Sequence, residues 1–286
     1  MEYYSPEKIE DAYALLAKYG EDAVPIAGSS FFMGHREELF DEVQAVVDIK
    51  RLGLNYIKAD DVGLRIGATT TLHEIERADV CQSGAFEIFS DTVRELNIVE
   101  VRNVATIGGE VCIAGEVDMP TTLLAYDAEI VIGGVNGERT MSMQDFHVGY
   151  LNTALEPGEM VIEVRVPRPA DGSGGGFAKF ERTAADLPIV NVAARLTLNA
   201  DGVCTDARVA VGAATAAGVP RRSSAAEAAL VGNKPDHELI LAAAAASSDV
   251  DCINDFRASA YIRTHWVQCG TEDALKIAVA NAHKGA

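Results

Sequence analysis

Val101-Arg102-Asn103-Val104-Ala105-Thr106-Ile107-Gly108-Gly109 is the stretch on which the reading of this chain turns. Two adjacent glycines close it. They permit positive φ and remove the side chains that would hold a diphosphate at a distance. A little downstream stands Asp118, an acceptor suited to ribose or ribityl hydroxyls. By itself a Gly-Gly pair is also what an ordinary turn looks like, so its neighbours matter.

Upstream, Pro25-Ile26-Ala27-Gly28-Ser29-Ser30-Phe31-Phe32 runs from an apolar strand into a turn of small residues. Such a turn leaves backbone N–H groups unpaired and admits a large anion. Alone it too reads as a plain strand-to-loop connection. No G-x-G-x-x-G follows this first strand, which argues against a stand-alone Rossmann-type dehydrogenase.

Composition narrows the function classes. The chain has 286 residues, 48% apolar and 23% charged, the balance of a soluble globular protein long enough for two domains. Its net charge of −19 argues against nucleic acid, whose phosphates need clustered Lys and Arg. Five scattered cysteines form no C-x-x-C pair, so neither a disulfide framework nor an iron–sulfur cluster is expected within this chain. The histidines lack metal-ligand spacing, and no Ser/His/Asp or Cys/His constellation suggests a nucleophile. His35, near the first turn, reads as a surface residue. Met1 to Pro6 has no secretory pattern, and the apolar run Leu239 to Ser247 is too short to span a bilayer. The cytoplasm is the expected location.

The pattern outside the two turns predicts an α+β fold. Ser5 and Pro6 suit the start of a first helix that Gly20 ends. Strands are expected at Ala23 to Ala27, Val43 to Ile49 and Leu64 to Ala68, and Thr71 to Glu74 fits a capping box. A helix over Phe86 to Leu96 follows. Leu123 to Ile132, Glu138 to Met143 and Met160 to Val166 read as strands, with a hairpin turn at Val135-Asn136-Gly137-Glu138. Pro167 to Gly176 reads as a linker or exposed hairpin tip rather than a phosphate loop, since the required Lys is missing. Beyond it come strands at Phe177 to Phe180, Ile189 to Leu198 and Cys204 to Val211, then helices near Ser224 to Leu230, Asp236 to Ser247 and Asp255 to Ala282.

The run Val101 to Gly109 resembles the second FAD motif of the molybdopterin dehydrogenase flavoprotein family. Asp118-Met119-Pro120 and Leu123 to Ala128 continue the likeness. Ile26-Ala27-Gly28 resembles the first FAD motif, and Leu64 to Leu72 a framework stretch. Gly149-Tyr150 through Glu159 and Val164 to Pro167 are similar to the segment closing the FAD domain. Lys179 to Arg182, Asp186 to Ala193 and Arg257 to Arg263 resemble parts of the C-terminal domain.

The resemblance implies a two-part FAD-binding domain over 1–170, with subdomains of about 1–57 and 58–170, and a C-terminal domain over 177–286 with a three-stranded antiparallel sheet and helices. It implies FAD on this chain, bound through Ala27, Gly28, Ser29, Ser30, Phe31 and Phe32 and through Thr106, Ile107, Gly108, Gly109 and Glu110. Asp118 matches the residue that holds cofactor hydroxyls, and Met160 and Lys179 match positions near the flavin ring. For Lys179 a solvated surface position is the other reading. It further implies a large molybdopterin-binding subunit and a small [2Fe–2S] subunit, arranged as a dimer of heterotrimers, with this chain relaying electrons. Three departures stand out: Ser29 where the family has a second glycine, Glu110 where it has Asn, and Ala114 to Val117 in place of a Ser/Ala-x-Pro stretch. Serine tolerates positive φ poorly, and a carboxylate aimed at a diphosphate would repel it. These changes keep open a flavin-free scaffold within such a complex.

Overall fold

The computed structural model describes residues 1–35, 37, 43–96, 98–184 and 186–284. β1 (Glu2–Tyr4), α1 (Ile9–Tyr19), β2 (Ala23–Ile26), α2 (Ser30–Gly34) and β3 (Ala45–Asp48) open the chain. The three strands form a parallel sheet in the order β1-β3-β2. α1 begins at Ile9, later than Ser5 and Pro6 suggested, and no side chain caps it. Glu10 and Asp11 in its first turn and Lys18 in its last complement the helix dipole. Gly20, at φ 56°, ends it.

Next come β4 (Ile57–Ala59), β5 (Gly63–Gly67), α3 (Leu72–Arg77), α4 (Glu87–Arg94), α5 (Val99–Arg102), α6 (Ile107–Ile113) and α7 (Met119–Ala125). They are followed by β6 (Glu129–Gly134), β7 (Gly137–Ser142), α8 (Met143–Phe146), a small hairpin of β8 (His147–Gly149) and β9 (Asn152–Thr153), and β10 (Met160–Pro167). An antiparallel sheet runs β4-β5-β10-β6-β7. Leu64, Ile66, Ile130, Ile132 and Val164 point from it onto Phe89, Leu123 and Ile107 of the helical layer. The capping box at Thr71 and Glu74 forms as its spacing requires.

One strand expectation fails here. The sequence pattern predicts an extended segment from Leu123, whereas Met119–Ala125 is helical, with Pro120 in its first turn. All of its residues are buried, so no polar face was left to betray the helical period.

The C-terminal part is a meander, β11 (Ser173–Phe180), β12 (Val190–Leu198), β13 (Cys204–Gly212) and β14 (Arg221–Arg222), covered by α9 (Ser224–Leu230), α10 (His237–Ala246) and α11 (Ala260–Lys284). The short β14 adds a fourth strand to the three expected. The glycine-rich segment is no linker in its second half: Ser173 to Gly176 are buried strand residues. A Cβ on Gly174 would lie 2.1 Å from the backbone N of Ala282, and one on Gly176 would lie 2.1 Å from the carbonyl O of Ala274. The glycines let α11 press its backbone onto the strand. β12 is buried along its whole length because alternate side chains serve different cores. Val190, Val192 and Ala194 join the cluster under α11, and Ala193 faces the helical layer of the first part.

Candidate functional site

The two glycine turns meet. A Cβ on Gly28 would lie 1.7 Å from the carbonyl oxygen of Val104, so only glycine permits this approach. Val104 to Gly108 is stitched on its other side to the 68–72 segment, through Leu72 N–H to Ala105 O, Ile107 N–H to Thr70 O and Gly108 N–H to Ala68 O. A Cβ on Gly108 would come within 2.7 Å of that Ala68 oxygen. Neither Gly108 nor Gly109 has positive φ. The pair instead forms the first turn of α6, whose N-cap Thr106 accepts from Gly109 N–H. The expectation of a left-handed turn there is corrected to a close packing requirement.

Ser29 is the residue that adopts the left-handed conformation, at φ 58° and ψ 12°. The turn needs that geometry to start α2 immediately after β2, and a glycine would supply it without strain.

A cavity of about 320 Å³ opens beside these turns. Ser30, Phe31 and His35 line it together with the apolar Leu72, Val93, Leu96 and Val101, and Glu110, Asp118, Lys179, Leu187 and Pro188 are among its other lining residues. His35 stacks on Phe31 at 4.1 Å between centroids, at the mouth of the cavity.

The polar floor is built by both halves of the chain. Asp118 precedes α7 and is 5% exposed. It accepts from the Asn191 side-chain amide at 2.8 Å and pairs with Lys179 at 3.1 Å. Asn191 is itself held by Thr121 and by the carbonyl of Val117. Burial pushes the Asp118 carboxyl up, and Lys179 and Asn191 pull it back. Each carboxylate oxygen keeps a lone pair for a hydroxyl.

The Lys179 side chain is 1% exposed, which rules out the solvated surface reading. Its ammonium group contacts Asp118, Glu181 at 2.8 Å and the carbonyl of Glu95 at 3.2 Å. Burial lowers its proton affinity, but the carboxylates more than offset this, and Lys179 stays cationic.

Glu110 sits at the fourth position of α6. Burial and then the charge of Asp118 push its carboxyl up to about 8, against hydrogen bonds from the backbone N–H groups of Met119 and Asp118 and the charge of Lys179.

Ser30, Phe31, Glu110, Asp118 and Lys179 therefore line one cavity, beside the Gly28–Val104 contact, whereas the side chains of Phe32 and Ile107 pack into separate apolar clusters and Ala27 packs against a third. Met160 does not join them. It pairs with Gly133 and is buried with Tyr13, Leu16 and Ile162 under α1. The proximity to the flavin ring inferred for it is corrected: its side chain serves the core on the far face of β10.

Sequence reasoning missed Asn191, Glu181 and a latch across the cavity rim. Arg257 bonds Glu116 at 2.8 Å and the carbonyl of Pro188, tying the C-terminal part to the loop before α7. A polar Asn inside the apolar run Ile189 to Leu198 was the one available signal. The latch had none.

Residues 1–169 match the FAD binding domain in molybdopterin dehydrogenase, and residues 176–277 match the CO dehydrogenase flavoprotein C-terminal domain. The chain belongs to the molybdopterin dehydrogenase flavoprotein family. The flavoprotein is 30% identical to the 6-hydroxypseudooxynicotine dehydrogenase complex subunit alpha of Paenarthrobacter nicotinovorans, over 98% of this chain and 95% of that one. It is 29% identical to the carbon monoxide dehydrogenase medium chain of Afipia carboxidovorans, over 98% and 97%. It superposes on a chain of carbon monoxide dehydrogenase from Hydrogenophaga pseudoflava with a TM-score of 0.92, at 28% identity, covering 98% of each. Its relatives are oxidoreductase subunits of molybdenum hydroxylases.

The site suits the cofactor of the family. Ser30 and Phe31, in the first turn of α2, line the cavity. The N–H groups of Ile107 to Glu110 are bonded within the protein, so that turn contributes space and the helix dipole rather than free donors. Above Gly109 a Cβ would meet only Thr106 Oγ1, at 3.3 Å, leaving the surface open to a bulky anion.

Proposed function

We propose that this flavoprotein is the electron-relay subunit of a multi-subunit molybdenum hydroxylase. The observation that carries this reading is the cavity beside the joined turns, floored by Asp118 and the buried Lys179. Ala27 to Phe32 and Thr106 to Glu110 would hold the diphosphate, and Asp118 the hydroxyls. FAD bound there would supply exchange between one-electron centres and a two-electron acceptor. Lys179 supplies the positive charge that opposes the effect of burial on Asp118, and the apolar back wall of Leu72, Val93 and Leu96 excludes water from one face.

In this reading substrate is hydroxylated on a large molybdopterin-binding subunit, and a small subunit with [2Fe–2S] clusters delivers the electrons. The assembly is a dimer of heterotrimers in the cytoplasm. Among the described residues no helix is long and apolar enough to cross a membrane. Ser29 in a left-handed conformation and Glu110 on the cavity wall favour a second reading, a flavin-free scaffold in the same complex. Absorbance of the purified complex decides between them. A flavin spectrum with one FAD per chain supports the relay. A colourless complex that still assembles leaves the scaffold.

A further inference from the structure

Three segments form the mouth of the cavity. Glu116 and Val117 come from the loop between α6 and α7, Tyr150 and Leu151 from the tip of the β8–β9 hairpin, and Leu187 and Pro188 from the approach to β12. Tyr150, Leu151 and Leu187 are about half exposed, which puts this side of the cavity at the protein surface.

Glu116 joins these segments. One of its carboxylate oxygens accepts from the Arg257 guanidinium at 2.8 Å, the other from the Tyr150 hydroxyl at 3.2 Å. Arg257 also donates to the carbonyl of Pro188 at 3.2 Å. One carboxylate–guanidinium pair thereby spans all three segments, and with them both matched domains. Its Arg257 end is anchored: the guanidinium contacts Asp255, which pairs with the fully buried Arg263. At its other end lies a rim whose backbone needs support from neighbours. Ala114 and Leu151 hold φ of 47° and 52°, left-handed values that non-glycine residues keep only where their surroundings impose them. Leu151 N–H donates to Ala114 O at 2.8 Å, so the two strained positions share one rung. Each Glu116 oxygen has a protein donor, and Arg257 does not line the cavity. The pair is placed to set access rather than to hold an occupant.

We propose that the Glu116–Arg257 pair gates the cofactor cavity, and that FAD enters and leaves when this pair parts. Both are positioning residues, not cofactor ligands. The proposal rests on the reading of the cavity as an FAD site.

Stopped-flow fluorescence with FAD and the full-length chain freed of flavin tests it. Weakening a gate speeds passage in both directions, whereas removing a ligand speeds departure alone. Glu116→Gln keeps the size of the side chain and removes its charge. Association and dissociation are both expected to quicken about tenfold, the equivalent of one charge-assisted hydrogen bond, with Kd nearly unchanged. Tyr150→Phe removes one neutral hydroxyl contact at the surface and is expected to quicken both rates about threefold. Faster dissociation with wild-type association in Glu116→Gln makes Glu116 a ligand and overturns the gate. Unchanged rates in both variants also overturn it. If Glu116→Gln does not fold, Tyr150→Phe decides by the same criterion. A wild-type chain that binds no FAD overturns the site reading and the proposal with it.

Discussion

Gly28 and Val104 are in backbone contact: the place a Gly28 side chain would occupy is taken by the Val104 carbonyl. Two segments far apart in the chain are thereby locked into one wall. Gly28→Ala must push them apart, at a cost of about 1–3 kcal/mol for overpacking. The chain should still fold, because its C-terminal core is untouched, but flavin content per chain should drop sharply. Full flavin occupancy in this variant would show that the contact does not shape the site.

Ser29 holds a left-handed backbone conformation at φ 58°. Ser29→Gly removes the Cβ strain, offset in part by the freedom glycine gains when unfolded, for a net gain of about 0.5–1 kcal/mol. Urea unfolding should show a higher midpoint at unchanged slope. A lower midpoint would mean that the serine hydroxyl contributes more than its strain costs.

Lys179 neutralises Asp118 and Glu181 in a buried setting. Lys179→Met leaves those carboxyls without their cation and should cost about 3–5 kcal/mol. The carboxyls of this variant would titrate higher in the folded state than in the unfolded chain. The defect is therefore smaller at pH 5, where protonation relieves it, and larger at pH 8. Equal defects at the two pH values would argue that the lysine acts through packing alone.

Asp255 is held low, at about 2 against an ordinary 3.8. Burial alone would raise it, but the N–H groups of Ala258 and Arg257 and the Arg263 guanidinium outweigh that effect. A depressed carboxyl stabilises the fold above its unfolded value, and the contribution disappears as pH falls from about 4 to 2. Asp255→Asn should flatten the stability profile in that window and lower stability at neutral pH. A profile that keeps the wild-type slope between pH 4 and pH 2 would place the acid sensitivity elsewhere.

Much of the architecture was legible wherever a few neighbouring residues settle the outcome. The Thr71–Glu74 capping box forms where its spacing put it, and the hairpin read over Val135 to Glu138 forms with Val135 and Asn136 as its loop. Legibility ended where burial erased the pattern. Met119–Ala125 is enclosed on all sides and reads equally well as a strand. The Gly174 to Gly176 run resembles a linker until α11 lies across it. Met160 illustrates a further limit, since a matched position in a strand does not say which face its side chain takes.

From its residues alone the chain declared two glycine-bearing turns, an acid beyond the second, and the order of segments that places it among the flavoproteins. These are matters of local backbone freedom and capping, resolved within a turn or two of chain. Only tertiary packing decided that Lys179 would meet Asp118 at 3.1 Å, that Arg257 would latch Glu116, and that Glu110 and Asp118 would line one cavity. Charge partnership and desolvation depend on which surfaces come together when β11 and β12 close against α4 and α7, and no stretch of chain contains that information by itself.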